Sequence, residues 1–224
     1  MRMILLGAGG SGKGTQAIRI RKTYGLPYIA TGDIFRDHIG RGTEVGLEAK
    51  EYISKGLLVP DEVTIRLIRT RFMEPDCANG FLLDGFPRNQ KQAAALKAEL
   101  DAHGVKIDAV LNLKVSEETI IQRTVGRRLC TSCGEIYNVF FNKPKVEETC
   151  DCCGSALFRR SDDTLEAVQT RLKIYGEETA PLIEYYTQQG CLYALNGEVS
   201  TEEIFAEIQG VVENLQKNEV SYSA

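Results

Sequence analysis

Apolar positions along the chain follow two alternating rhythms, short continuous runs and longer stretches with a helical period. Met3 to Leu6 is a continuous run that predicts a buried strand over 2–6. A glycine-rich turn follows, then a helical pattern over 13–24 that stops at Gly25 and Pro27. Residues 28–30 predict a second strand, with Thr31 placed to cap a helix beginning near Gly32. Two helices over 43–56 and 61–74 come next, the second opened after Pro60 by Asp61 and Glu62. Strands over 81–84 and 109–115 alternate with helices over 89–102 and 116–125. Between 127 and 162 the helical period is lost in favour of Cys, Gly, Pro, Tyr and Phe, which marks a separate small lobe. A long helix over 163–189, kinked at Pro181, then leads to a strand over 191–195. Ser200 and Glu203 form a capping box for a last helix carrying Ile204, Phe205, Ile208 and Val212. Strand and helix in alternation predict an α/β fold, a doubly wound parallel sheet of five strands with ligands beyond the strand carboxyl ends.

A length of 224 residues fits one generous domain with a small insertion. Apolar runs such as Met3–Leu6 and Ala109–Leu111 are far too short to cross a bilayer, so no membrane partner is expected. Met1-Arg2-Met3-Ile4 runs straight into Gly7 with no room for a signal peptide, so the expected location is the cytoplasm. A net charge of −4 argues against general nucleic-acid binding and confines any polyanion site to a local cluster. Nothing in the chain demands a partner subunit, and a monomer is expected.

The turn after the first strand reads Gly7-Ala8-Gly9-Gly10-Ser11-Gly12-Lys13, a match to G-x-x-x-x-G-K between a strand and a helix. Phosphate chemistry needs that composition, because the backbone must pass close to phosphate oxygens and aim successive N–H groups at them. Lys13 adds a point charge for the outer phosphates. Gly14 stands where Ser or Thr would touch Mg²⁺, and the hydroxyl comes one residue later at Thr15, so the metal is expected to be held partly through water.

Gly12-Lys13-Gly14-Thr15, Thr31-Gly32-Asp33-Ile34-Phe35-Arg36 and Asp84-Gly85-Phe86-Pro87-Arg88 with Gln92 resemble adenylate kinases, and the resemblance covers nearly the whole chain. It implies a P-loop core (1–30, 60–126 and 163–224), an AMP-side helical segment (31–59) and a small lid (127–162). It implies that Thr31, Arg36, Arg88, Gln92, Gly85, Phe86 and Pro87, with the backbone of Leu57, Leu58 and Val59, meet AMP. Gly10, Ser11, Gly12, Lys13, Gly14 and Thr15 would hold ATP with Arg123 and Arg127, and Ile136, Tyr137 and Val199 would lie near its adenine. Arg160 and Arg171 would bridge toward the transferring phosphoryl, and Asp33 and Asp84 would orient magnesium-bound water. The implied substrates and products are ATP, AMP and ADP. Gly9 replaces a Pro common in the family's loop and Asn89 a common Thr.

The arginines also make sense without the resemblance. Phosphoryl transfer rests on alignment and on stabilising charge spread over the phosphoryl oxygens, a task that planar guanidinium forks suit. The catalytic set that the resemblance implies, Lys13, Arg88, Arg123, Arg160, Arg171 and Asp84, is in keeping with that chemistry. Arg123 and Arg127, four apart at a helix end, are expected to share a face.

Cys130-x-x-Cys133 and Cys150-x-x-Cys153 have the spacing of a four-thiolate zinc site, structural because no ligand position stays open. Gly154 after Cys153 favours Cys153 over Cys152 as the fourth ligand. Cys77 and Cys191 read as small buried hydrophobes. Three other functions come into question. Another nucleoside monophosphate kinase would share the phosphate-handling residues. A GTP-dependent switch is disfavoured because Asn142-Lys143-Pro144-Lys145 lacks the guanine-reading N-K-x-D. A nucleic-acid-binding zinc lobe is disfavoured because Lys143 and Lys145 are offset by Glu135, Glu147, Glu148 and Asp151.

Overall fold

The computed structural model describes residues 1–222; Ser223 and Ala224, the end of the expected core segment 163–224, lie outside the described residues. Its centre is a five-stranded parallel sheet in the order β2-β3-β1-β4-β8, formed by Arg2–Leu6 (β1), Tyr28–Ala30 (β2), Phe81–Asp84 (β3), Ala109–Lys114 (β4) and Leu192–Asn196 (β8). The strands read as unbroken apolar runs because both faces are covered. Met3, Leu5, Leu82, Leu111 and Leu113 face Ala17 and Ile20 of α1 (Lys13–Tyr24) and Ile204 and Ile208 of α9 (Thr201–Tyr222). Ile4, Leu6, Phe81, Leu83 and Val110 face the opposite way, against Ile68 of α4 (Asp61–Phe72), Leu96 and Leu100 of α5 (Gln90–Ala102), and Leu182 of α8 (Pro181–Gln188).

Parallel order carries the carboxyl ends of β1, β2 and β3 to one edge. Asp84 pairs in register with both Leu5 and Ala30, so the end of β3 lies directly beside the glycine loop. Helices α2 (Thr31–Gly40) and α3 (Glu44–Ser54) carry a satellite core of their own, in which Phe35, Ala49, Val59 and Val63 are buried together.

After α6 (Glu117–Val125) the small lobe is a three-stranded antiparallel sheet, β6-β5-β7, from Arg127–Cys130 (β5), Ile136–Asn138 (β6) and Leu157–Phe158 (β7). Alternation over four residues or fewer leaves no periodic signal, which is why the sequence shows only loss of helical period there.

The stretch expected as one helix over 163–189 is divided. Thr164 caps α7 (Leu165–Ile174) by accepting the Ala167 N–H, and a π-turn over Tyr175–Thr179 joins it to α8. Pro181 has no N–H to give, and the Ala180 N–H reaches back five residues to the Tyr175 carbonyl at 2.8 Å. Thr31 does not cap α2 as expected; its hydroxyl donates to the Gly85 carbonyl at 2.9 Å, and no side chain caps that helix. The Ser200–Glu203 capping box is present in both directions, at 3.0 and 3.2 Å.

Candidate active site

The loop after β1 wraps the start of α1. Gly10 has φ +97°, and a Cβ there would lie 2.3 Å from Thr124 Oγ1 and 3.0 Å from the Ile120 carbonyl, so any side chain would have to displace α6. Helices α3, α5, α6 and α7 are capped by Thr43, Asn89, Ser116 and Thr164, whereas α1 has no side-chain cap and no acidic residue in its first turn. Its N-terminal N–H groups and the positive end of its dipole are left to a ligand, an arrangement suited to phosphate. Lys13 folds back over the loop, donating to the carbonyls of Gly7 and Ala8 at 2.8 and 2.9 Å. Burial lowers its pKa, against the carboxylate of Asp84, and the positive charges of Arg88 and Arg127 lower it further.

Guanidinium groups from four separate segments share this field. Burial lowers the pKa of Arg88 as well; Asp84 opposes the shift, while Arg171 and Arg36 reinforce it. Arg160 is pushed down to about 10, first by burial and then by Arg36 and Arg127. The carboxylates within the cluster are Asp33, Asp84, Asp162 and Asp163, fewer than the cations Lys13, Arg36, Arg88, Arg127, Arg160 and Arg171. On a chain of net charge −4 this is a local positive excess. Lys13, Arg88 and Arg160, whose charged forms are disfavoured by burial and by neighbouring cations, are stabilised when a polyanion enters.

Ion pairs join the segments of the cluster. Asp163, fully buried, accepts from Arg127 Nε at 2.8 Å and from a second Arg127 nitrogen, and its carbonyl accepts from Arg159. Asp162 pairs with Arg171. Asp33 accepts from Arg36 at 2.5 Å and from Arg160 at 3.2 Å, linking α2 to the end of the lobe. Replacing Asp163 by Ala strands the Arg127 charge in a mostly buried position. A loss of about 3 kcal/mol of folding stability is expected in denaturant titration, and a change below about 0.5 kcal/mol would contradict the pairing.

At the end of β3, Gly85 has φ +77° and a Cβ there would lie 2.7 Å from Thr31 Oγ1 and 3.1 Å from an Arg88 nitrogen. A bare glycine lets Thr31 and Arg88 meet at one carbonyl, because Arg88 Nε also donates to Gly85 O at 2.9 Å. The Arg88 backbone is held from both directions, its N–H by Gln92 Oε1 at 2.8 Å and its carbonyl by Thr179 Oγ1 at 2.7 Å. Phe86 and Pro87, joined by a cis peptide, are buried behind this turn. Leu57 is exposed, Leu58 half-buried and Val59 buried, in the segment between α3 and α4.

Three expected positions differ in detail. Arg123 and Arg127 do not share a helix face, because α6 ends at Val125 and Arg127 opens β5. Arg123 instead donates to the Gly197 carbonyl at 2.9 Å and approaches Gly12. The Tyr137 ring is turned into the lobe interior beside Cys130, Cys150 and Leu157, and its hydroxyl accepts the Asp151 N–H at 2.8 Å, so the ring does not face the loop. Strand alternation puts its neighbour Ile136 there instead, 3.8 Å from where a Cβ on Gly14 would be. Val199 packs its side chain on the β1–β4 core, leaving only its backbone for a ligand.

Sequence reasoning missed Asp162 and Asp163, which read as a polar run before a helix, and Tyr28, whose hydroxyl donates to Asp84 Oδ2 at 2.8 Å. Burial raises the Tyr28 pKa, as do Asp84 and then Asp33. Asp84, at the end of β3 beside the phosphate loop, is a hard oxygen donor of the kind a hydrated Mg²⁺ takes.

In the lobe, the sulfurs of Cys130, Cys133, Cys150 and Cys153 lie within 4.8 Å of one another, with Cys130–Cys153 at 3.4 Å and Cys133–Cys150 at 3.6 Å. Tetrahedral Zn–S bonds of about 2.3 Å require sulfur–sulfur edges of about 3.8 Å, so the donor set fits that ion. Hydrogen bonds from Ser155 hold the Cys153 thiol down at about 6, near the thiolate a metal needs. Cys152 is exposed and outside the cluster, while Cys77 and Cys191 are buried. Among the described residues no helix is long and apolar enough to cross a membrane.

A family model described as adenylate kinase matches residues 5–191. Curated proteins named adenylate kinase are similar over nearly the full length. One from Carboxydothermus hydrogenoformans is 49% identical over 95% of this chain and 100% of its own. One from Caldanaerobacter subterraneus subsp. tengcongensis is 50% identical over 93% of this chain and 95% of its own. One from Methanosarcina barkeri is 50% identical over 95% and 98%. With the loop, the converging guanidinium groups and this similarity running through core and lobe alike, the chain belongs to the adenylate kinase family.

Proposed function

We infer that this chain carries out its family's reaction, the reversible Mg²⁺-dependent transfer of the γ-phosphoryl of ATP to AMP, giving two ADP. The observation that carries the residue roles is the single positive field joining Lys13 of the loop, Arg36 and Arg88 of the acceptor side, Arg127 and Arg160 of the lobe, and Arg171 of α7. Gly10 to Thr15 wrap the donor phosphates with backbone N–H groups, and Lys13 exchanges its two loop carbonyls for phosphate oxygens. Arg123 and Arg127 flank that loop, and Ile136 with the backbone at Tyr137 and Val199 covers the donor base. Thr31, Arg36, Arg88 and Gln92 take AMP, with Gly85, Phe86, Pro87 and the Leu57–Val59 backbone forming the wall.

Arg160 and Arg171 sit between the two, where charge builds on the transferring group. Bound Mg²⁺ supplies neutralisation of the outer phosphates and is held through water by Asp33 and Asp84, with Thr15 nearby. Segments 31–59 and 127–162 are the parts that close, and the Asp33 link to Arg160 lies where they meet. Closure keeps water from accepting the phosphoryl. A structural Zn²⁺ on Cys130, Cys133, Cys150 and Cys153 fixes the lobe. Four reduced thiols of this kind are in keeping with a cytoplasmic location.

The choice of acceptor is tested by initial rates with MgATP and each of AMP, GMP, CMP and UMP. AMP is expected to be fastest by at least ~10²-fold in kcat/KM, as hydrogen-bonded base readout allows. A faster rate with any of the others would replace the assignment.

A further inference from the structure

A glutamine amide has two ends of nearly equal size and opposite hydrogen-bonding character, so a buried glutamine reads a base only if something fixes which end is which. Gln92, in the first turn of α5, is 1% exposed. Its Oε1 accepts the Arg88 N–H at 2.8 Å, and its Nε2 donates to Asp61 Oδ1 at 2.8 Å. The first partner can only donate and the second, as a carboxylate, can only accept. Rotating the amide by half a turn would set oxygen against carboxylate oxygen and NH₂ against N–H.

Asp61 is itself pinned. Asn89, the cap of α5, donates from Nδ2 to the same Oδ1 at 3.0 Å, while its own oxygen accepts the Gln92 N–H at 2.9 Å. Lys91 Nζ lies 3.8 Å from the other Asp61 oxygen. Each end of the Gln92 amide keeps one further bond to give, an acceptor lone pair on Oε1 and a hydrogen on Nε2. A 6-aminopurine presents an amino donor beside a ring-nitrogen acceptor and matches that pair. A 6-oxopurine presents an acceptor beside an N–H donor and opposes it at both places.

We propose that Asp61, which lies behind Gln92 on α4, is a positioning residue that makes the acceptor pocket select a 6-aminopurine over a 6-oxopurine nucleoside monophosphate. The proposal rests on the reading that Gln92 meets the base of AMP. Asn at position 61 can offer either end of its own amide to Gln92, so Asp61→Asn removes one of the two constraints and leaves the Gln92 amide oriented by the Arg88 N–H alone, whereas Asp61→Glu keeps an acceptor-only group.

The test uses the full chain with MgATP and either AMP or inosine monophosphate, measuring kcat and KM for Asp61→Asn, Asp61→Glu and Gln92→Ala, with thermal melts alongside. Asp61→Asn is expected to raise the KM for AMP about 10-fold with kcat within about two-fold, as loss of a charge-assisted orienting bond implies. The ratio of kcat/KM for inosine monophosphate over AMP should rise at least ~10-fold, and Asp61→Glu should bring it back toward the parent value. A lowered melting temperature with AMP KM and ratio unchanged in Asp61→Asn, while Gln92→Ala raises the AMP KM, overturns the proposal and leaves the Gln92 reading standing. An unchanged AMP KM in Gln92→Ala overturns both.

Discussion

Lys13→Ala should lower turnover by at least ~10²–10³-fold while the protein stays folded, the scale seen when one preorganised charge is taken from a transition state. In this structure Lys13 bonds only to carbonyls of its own loop, Gly7 and Ala8. Each such bond contributes about 1 kcal/mol net, and removing a cation crowded by Arg88 and Arg127 relieves repulsion of the opposite sign. Stability should therefore change by no more than about 1–2 kcal/mol, whereas the donor phosphates lose their closest ammonium. Circular dichroism and a melt establish the fold, and coupled kinetics read the rate. Turnover within about 10-fold of the parent in a folded Lys13→Ala protein would refute the role.

Removal of metal by a chelator should lower the melting temperature by roughly 10 °C or more and leave most of the turnover at moderate temperature. The lobe's buried cluster is Cys130, Tyr137, Cys150 and Leu157, with Leu129 buried besides, far too little apolar surface to hold about 35 residues. Structural zinc in small sites binds with on the order of 10 kcal/mol, which here becomes folding energy of the lobe. The effect on rate is smaller because the sulfurs point inward, while Arg127 and Asp163 still anchor the lobe to the core. Calorimetry on the metal-loaded and chelated protein reads the shift. Cys153→Ser should reproduce it and the exposed Cys152→Ser should not. Complete loss of activity in a chelated protein that remains folded would contradict a purely structural metal.

The parallel core was legible because its three central strands, β1, β3 and β4, carry both faces inward and stand out as apolar runs between helical periods. The lobe's strands were not, since their pairing depends on where two cysteine turns bring the chain back and not on any alternation within Leu157–Phe158. The same contrast holds at the site. Lys13 and the glycines around it announce themselves by spacing, and Thr31, Arg88 and Gln92 by motif. Asp162 and Asp163 are visible only once folding sets them against Arg171 and Arg127. Asp61 reads as an acidic residue at a helix start, and only tertiary structure turns it toward Gln92. Nor does the sequence show which way the Tyr137 ring turns: a tyrosine beside a basic strand gives no sign of which face it presents, and in the fold it packs within the cysteine cluster.

The most direct measurement is the simplest mixture: the protein, Mg²⁺ and ADP with no other nucleotide, followed by separation of the products. If one loop and one shared field of guanidinium groups grip two nucleotides end to end, ATP and AMP should accumulate in equal amounts until the mixture reaches equilibrium. ADP left unchanged, or AMP and inorganic phosphate released without ATP, would contradict it.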